Sequence, residues 1–183
     1  MSVASRTAVT VELYFQAVFQ PTIDGDQAWQ SPDGEQWQNW IQTWFHSLRE
    51  DLPDADAYEL TLRLTDDQEI KQLNSQFRQQ EKPTDVLSFA ALEADLPDYQ
   101  NFQSDDQVRE ALYLGDIVIS LETASQQAIE HGHSLTIELA WLTTHGLLHL
   151  LGWDHPDDQS LNTMLAKQAL LLEKVGLVAN FES

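Results

Sequence analysis

Three histidines stand close to the C-terminal end: His145, His149 and His155, in the run His145-Gly-Leu-Leu-His149-Leu-Leu-Gly152-Trp-Asp-His155. The first two are four residues apart, so on a helix they stack on one face, one turn apart. Gly152 follows and can end that helix in a left-handed conformation. The third histidine can then swing back toward the first two. Three neutral imidazoles on a tight frame leave a fourth position open, which is how catalytic zinc sites are built. A structural zinc would want a fourth protein ligand, usually Cys, and the chain has none.

In the zinc-protease signature His-Glu-x-x-His, the glutamate beside the first histidine is the general base. Here that position is Gly146. Activation then falls on the metal, which lowers the pKa of bound water toward ~7. Asp154 has two readings: it orients an imidazole through its other nitrogen, or it caps the turn. His131 and His133, in the expected loop before the metal helix, and His46, on the polar side of an earlier helix, are read as solvated and nonligating.

A second constellation is Leu73-Asn74-x-x-Phe77-Arg78, then Lys82-Pro83-Thr84-Asp85-Val86-Leu87-Ser88-Phe89. Arg78 and Lys82 end a helix, where the dipole favours cations. Alternatively, Arg78 faces the metal and holds a phosphate with its planar fork. Spacing leaves both open.

The elements that must position these residues are legible as periodicity. Val9, Val11, Leu13 and Phe15 alternate with polar neighbours and predict a strand. Pro21 to Gly34 predicts a loop. Trp37, Trp40, Ile41, Trp44, Phe45 and Leu48 predict an amphipathic helix over about 35–50, its tryptophans packing in the core rather than stacking on bases. Tyr58 to Leu64 alternates again as a second strand. Thr65 with Gln68 resembles a capping box that opens a helix carrying Ile70, Leu73 and Phe77. Pro83 forces the chain out of helix by Lys82. Val86 to Phe89 predicts a third strand and Leu114 to Ser120 a fourth. Helices follow over 121–131, over 135–151 capped by Ser134, and over 158–175 with Leu161, Met164, Leu165, Leu172 and Val175 inward and Gly176 closing it. Mixed without strict alternation, these elements predict an α+β fold: a small mixed sheet of about four strands with helices packed on it. A single domain is expected over 1–183, with a flexible tail at 1–7 and an acidic loop at 92–110.

Composition sets further bounds. Hydrophobic residues make up 42% of the 183, enough for a core, and Cys is 0, which excludes disulfides and fits a reducing compartment. No apolar run approaches the roughly 20 residues that span a bilayer, and the N-terminus lacks the apolar core of a signal peptide. A soluble, cytoplasmic protein is expected, with no membrane partner. The net charge of −21 opposes nucleic acid at long range. Lys71, Arg78 and Lys82, however, are three of only nine basic residues. They lie close along the chain as a local positive strip.

The His145–His155 run resembles the signature of the bacterial YbeY endoribonuclease family, the rRNA maturation factors. The Leu73–Phe89 run is similar to that family's second motif, and Leu114-Gly115-Asp116-Ile117 to its third. The motifs fall in the family's order over roughly residues 57–176. The resemblance implies an α+β fold and one Zn2+ per chain held by His145, His149 and His155. It implies a metal-dependent endoribonuclease specific for single-stranded RNA. Such an enzyme would act on small-subunit (16S) rRNA, chiefly at the 3′ end, and in ribosome quality control. Partners would be rRNA, the small ribosomal subunit and its associated proteins, with no DNA expected. The family's important arginine corresponds to Arg78, as phosphate clamp or transition-state stabiliser. Lys82 and Lys71 are then substrate-binding candidates. Two departures stand out: Gln79 where members usually have Gly, and Ala90 where Pro often follows Ser-Phe. The acidic loop is also long for the family. Two rivals remain at this stage: a zinc hydrolase of peptides or small molecules, and a noncatalytic ribosome assembly factor with structural zinc.

Overall fold

A computed structural model describes residues 8–18, 31–93 and 111–179. The expected tail at 1–7, residues 21–30 of the expected first loop and residues 94–110 of the acidic loop lie outside them. The described chain runs β1 (Val11–Ala17), α1 (Gly34–Ser47), β2 (Tyr58–Thr65), α2 (Asp67–Arg78), β3 (Val86–Ala90), β4 (Leu112–Ser120), α3 (Leu121–His131), α4 (Leu135–Leu150) and α5 (Asp158–Lys174). The sheet order is β1-β2-β4-β3. β1, β2 and β4 run parallel, and β3 lies antiparallel to β4 at one edge. The expected mixed four-stranded α+β architecture is therefore present.

Alternation decides which face each helix covers. Leu60, Leu62, Leu64, Leu114, Ile117 and Ile119 point to one face and join the main core with α1, α4 and α5. Leu87 and Val118 point to the other face, where Ile70 and Leu73 of α2 meet them. Trp37 and Trp44 are fully buried and Trp40 nearly so, which settles the tryptophan stripe as core. Each buries on the order of 150–250 Å², roughly 4–6 kcal/mol at the usual area coefficient and an upper bound. The Trp44 indole N–H also donates to the Leu171 carbonyl at 2.8 Å, fastening α1 to α5.

β4 carries an irregularity that explains the Leu114-Gly115-Asp116-Ile117 motif. Glu59 pairs with Tyr113, but Thr61 pairs with Asp116, so β4 holds one extra residue, a bulge. Inward positions accordingly switch parity, from Leu112 and Leu114 to Ile117 and Ile119. Gly115 sits at φ +129, and a Cβ there would stand 2.0 Å from the Phe89 carbonyl oxygen. Only glycine fits.

One expected cap is displaced. The N-cap of α2 is Asp66, whose carboxylate accepts from the Glu69 N–H at 2.8 Å, not Thr65. Thr65 closes β2, and its hydroxyl donates to the Glu69 carboxylate. Asp at N-cap with extended backbone supplies the acceptor one residue later. α1 likewise begins at Gly34, inside the expected loop, because Asp33 caps it. α2 ends on Gln79 at φ +58, the one non-glycine with positive φ among the described residues. That conformation is why glycine suits the position.

Candidate functional site

α4 is the central helix: it packs on β3 and β4 and is flanked by α3 and α5. Ser134 caps it by accepting from the Ile137 N–H, as expected. Its C-terminal end closes through Gly152 at φ +90. The Gly152 N–H donates to the His149 carbonyl and the Trp153 N–H to the Leu148 carbonyl, both at 3.0 Å. This double closure is a Schellman motif. It turns the chain back and brings His155 to His145 and His149, with ring centroids 5.7 and 5.4 Å away. One donor nitrogen from each of the three lies within 4.8 Å of the others. The expected histidine triad is assembled.

The second nitrogens of two rings fix how they face. The Trp153 carbonyl, 2.9 Å from His149 Nδ1, can only accept, so that nitrogen carries a proton. Gln168 Nε2 donates to the Trp141 carbonyl, which aims Gln168 Oε1 at His145 Nδ1, 3.1 Å away, and puts a proton there too. In the neutral rings both Nε2 atoms then present lone pairs, 3.0 Å apart. Two lone pairs at that distance call for a cation between or beside them. Burial, as the largest cause, lowers the pKa of both imidazoles, and for His149 the neighbouring His145 is next. Lowered values keep both neutral and metal-ready near pH 7. His155 is exposed, on the solvent side of the triad. The donor set fits a borderline divalent ion such as Zn2+.

Gln168 is the residue that sequence reasoning missed. It is fully buried on α5 between Met164 and Leu171. Its signal was a lone amide on an otherwise apolar stripe. Asp154 takes the turn role: its carboxylate accepts from the His155 backbone N–H at 2.8 Å. The partners of the inner imidazoles are Gln168 and the Trp153 carbonyl.

Gly146 has a packing reason. A Cβ there would lie 2.8 Å from Ile117 Cγ2 and 3.0 Å from Ser88 Oγ. The position faces the sheet, so a glutamate there could neither fit nor reach the triad.

Arg78 closes α2 and donates from Nη2 to the Ser88 carbonyl at 3.0 Å, on the edge strand β3. The Ser88 hydroxyl in turn donates to the Gly146 carbonyl at 3.3 Å, next to His145. Asn74 organises the turn between: its Nδ2 donates to the Lys82 carbonyl at 2.8 Å, and its own carbonyl accepts from the Gln80 N–H. Lys71 on α2 and Lys82 in that turn are both exposed. By contrast, Arg63 is engaged with Glu69 at 2.8 Å and Lys167 with Asp51 at 3.5 Å.

His133 departs from the solvated reading, whereas His131 is exposed as expected. His131 is the last residue of α3, and the His133 side chain is only 6% exposed. Both imidazoles hydrogen-bond to the buried Glu138 carboxylate of α4.

Comparison with known proteins identifies the family. The profile of the family described as Endoribonuclease YbeY matches residues 23–176. A protein of Trichormus variabilis named Endoribonuclease YbeY is 58% identical over 144 residues, 79% of this chain and 79% of the relative. One of Synechocystis with the same name is 57% identical over 140 residues, 76% of each. One of Gloeobacter violaceus is 51% identical over 157 residues, 83% of this chain and 73% of the relative. A Thermotoga maritima protein solved in solution superposes with a TM-score of 0.51 at 25% identity, covering 91% of this chain and 88% of that one. With its profile match spanning most of the sequence and its three motifs in place on one fold, the chain belongs to the YbeY endoribonuclease family.

Proposed function

We propose that this chain is a Zn2+-dependent endoribonuclease acting on single-stranded RNA, and that its substrate in the cell is small-subunit rRNA at the 3′ end during maturation and ribosome quality control. Relatives at 51–58% identity are named as endoribonucleases. The observation that carries the metal dependence is the pair of Nε2 lone pairs 3.0 Å apart, each ring fixed from behind by an acceptor.

His145, His149 and His155 are the proposed ligands. Zn2+ held there would supply Lewis-acid polarisation of a phosphoryl oxygen and a lowered pKa for water. Gln168 and the Trp153 carbonyl keep the two inner imidazoles in the ligating tautomer. Arg78 spends one Nη2–H on Ser88, which anchors its planar fork while other N–H groups remain for a phosphate. Through Ser88 and Gly146 that anchor is tied to the helix of the ligands. Lys71 on α2 and Lys82 in the turn after it, both exposed, add positive potential for an RNA backbone that reaches Arg78.

Approach from this side also follows from charge. The groove beside the Gly152 turn is lined by Asp51, Asp154 and Asp157 with no cation among its lining residues, the wrong sign for a phosphate chain. Among the described residues no helix is long and apolar enough to cross a membrane. A cytoplasmic site of action, beside the small ribosomal subunit and its proteins, completes the proposal.

The test uses the purified chain on single-stranded and duplex RNA, with chelator and with Zn2+ restored. Cleavage of single strands that chelator abolishes and Zn2+ restores is expected, with Arg78→Ala lowering it. Equal cleavage with and without chelator would overturn the metal's role. If Arg78→Ala stopped rRNA maturation in cells while no preparation cut RNA, the chain would be a noncatalytic assembly factor.

A further inference from the structure

The turn between α3 and α4 gathers a second set of metal-ligating groups. His131 ends α3, Gly132 reverses the chain at φ +71, His133 follows in the turn, and Glu138 lies one turn into α4. His131 Nδ1 stands 3.0 Å from Glu138 Oε2, and His133 Nε2 closes on the same oxygen. The two rings are 5.4 Å apart at 55°. The three donor atoms lie within 4.8 Å of one another.

We propose that His131, His133 and Glu138 form a second divalent-metal site, distinct from the three-histidine centre. Two imidazoles and one carboxylate are a donor set for Zn2+, Co2+ or Ni2+ rather than for Mg2+ or Ca2+, which prefer all-oxygen shells. Such an ion sits about 2.0–2.2 Å from nitrogen and oxygen donors. Tetrahedral donors around it are then about 3.4 Å apart. The present spacing thus needs only a small expansion around the shared oxygen. Burial grades the set in the right direction: the Glu138 side chain is 1% exposed, His133 6% and His131 38%. Two inner donors are held by packing, and the outer one faces solvent, leaving an entry path and room for a water ligand.

Charge gives a second reason. A carboxylate as buried as that of Glu138 is costly unless compensated. Two imidazoles at hydrogen-bond distance compensate it in part, and a divalent ion would do so fully. From Glu138 to His145 and His149 is seven to eleven residues, about 10–16 Å along the helix. The two centres therefore sit at opposite ends of α4 and load independently. The second one clamps α3 to α4, so it acts on the stability of that junction rather than on RNA. It binds more weakly than the first, because its donors are already bonded to each other and one is exposed to solvent.

Co2+ titration of the full chain, followed by visible absorption and by metal counted after desalting, tests this. Wild type is expected to hold two equivalents. His131→Ala, at the exposed donor, should hold one, and His149→Ala should hold one. The two substitutions together should hold none. Saturation of wild type at one equivalent that His149→Ala removes would overturn the proposal. So would a second equivalent that persists in His131→Ala. Should His149→Ala fold poorly, melting decides instead. With the three-histidine centre already filled in both proteins, further Zn2+ should raise the melting temperature of wild type and leave that of His131→Ala unchanged; equal shifts would overturn it. Absence of RNA cleavage by wild type holding both equivalents would count against the nuclease reading alone.

Discussion

The two ends of α4 solve the same electrostatic problem with opposite chemistry. At the C-terminal end, neutral acceptors (an amide oxygen and a backbone carbonyl) stand behind two imidazoles and turn their lone pairs toward each other. At the N-terminal end, a buried carboxylate stands in front of two imidazoles and takes their hydrogen bonds itself. The first arrangement leaves a demand for a cation unmet by the protein. The second meets most of its demand internally. What orients a histidine therefore decides how strongly it calls for a metal, and histidine spacing alone does not tell a strong site from a weak one.

The most damaging substitution lies in the middle of α4, between the two ends. Gly146→Glu places the zinc-protease base at its usual spacing, but against Ile117 and Ser88. We expect a loss of about 3 kcal/mol or more, from overpacking plus an unpaired buried charge. Urea unfolding would measure it, and a stable variant with peptidase activity would refute the packing account. At the N-terminal end, Glu138→Ala removes the shared acceptor and should cost about 1–3 kcal/mol. Zinc stoichiometry at the three-histidine end should be untouched. Coupled loss of both would show that the ends are not separate.

At the C-terminal end, Gln168→Leu keeps all three proposed ligands and frees the His145 ring. Metal affinity should fall roughly 10–100-fold with little change in fold, as measured by competition with a chromophoric chelator. Smaller again is a pH effect on the metal-free chain. Burial holds the His145 and His149 pKa values below the ordinary imidazole value of 6.5. The unfolded chain then binds more protons than the folded one between those values and 6.5. Their contribution is fully present above pH 6.5 and is lost as pH falls through the folded values. Urea midpoints of chelated protein should decline from pH 7.5 to 5.5, and zinc-loaded protein should resist further down. A flat profile would place the rings in solvent. The smallest effect lies off the helix: Gln79→Gly, at φ +58, should stabilise by about 0.5–1 kcal/mol. Thermal melts would reveal it, and destabilisation would mean that the Gln79 side chain holds the α2 turn.

Much of this was legible in the residues. His145, His149, Gly152 and His155 announced the triad, because helical spacing and a left-handed stop are local rules. The tryptophan stripe announced the core through its period. The parts that stayed hidden depend on contacts across the fold. Gln168 gains its meaning only from α4, which lies beside α5. Gly146 read as a missing base, though its reason is Ile117 on a strand almost thirty residues earlier. His131, His133 and Glu138 straddle a helix, a turn and a second helix, so no single period links them. Asp66 took the cap from Thr65 because two neighbouring acceptors compete and only the backbone conformation selects one.

The Gly152 closure has a consequence for variation. The carbonyl that holds His149 belongs to Trp153, one residue beyond the glycine that reverses the chain. Main-chain geometry at a residue outside the triad thus fixes the tautomer of a proposed ligand. Substitutions in this short reversal can retune how firmly the ion is gripped while every histidine stays in place. A lineage drifting at the turn would change the metal affinity of the proposed site silently, with no trace in the motif by which such sites are recognised.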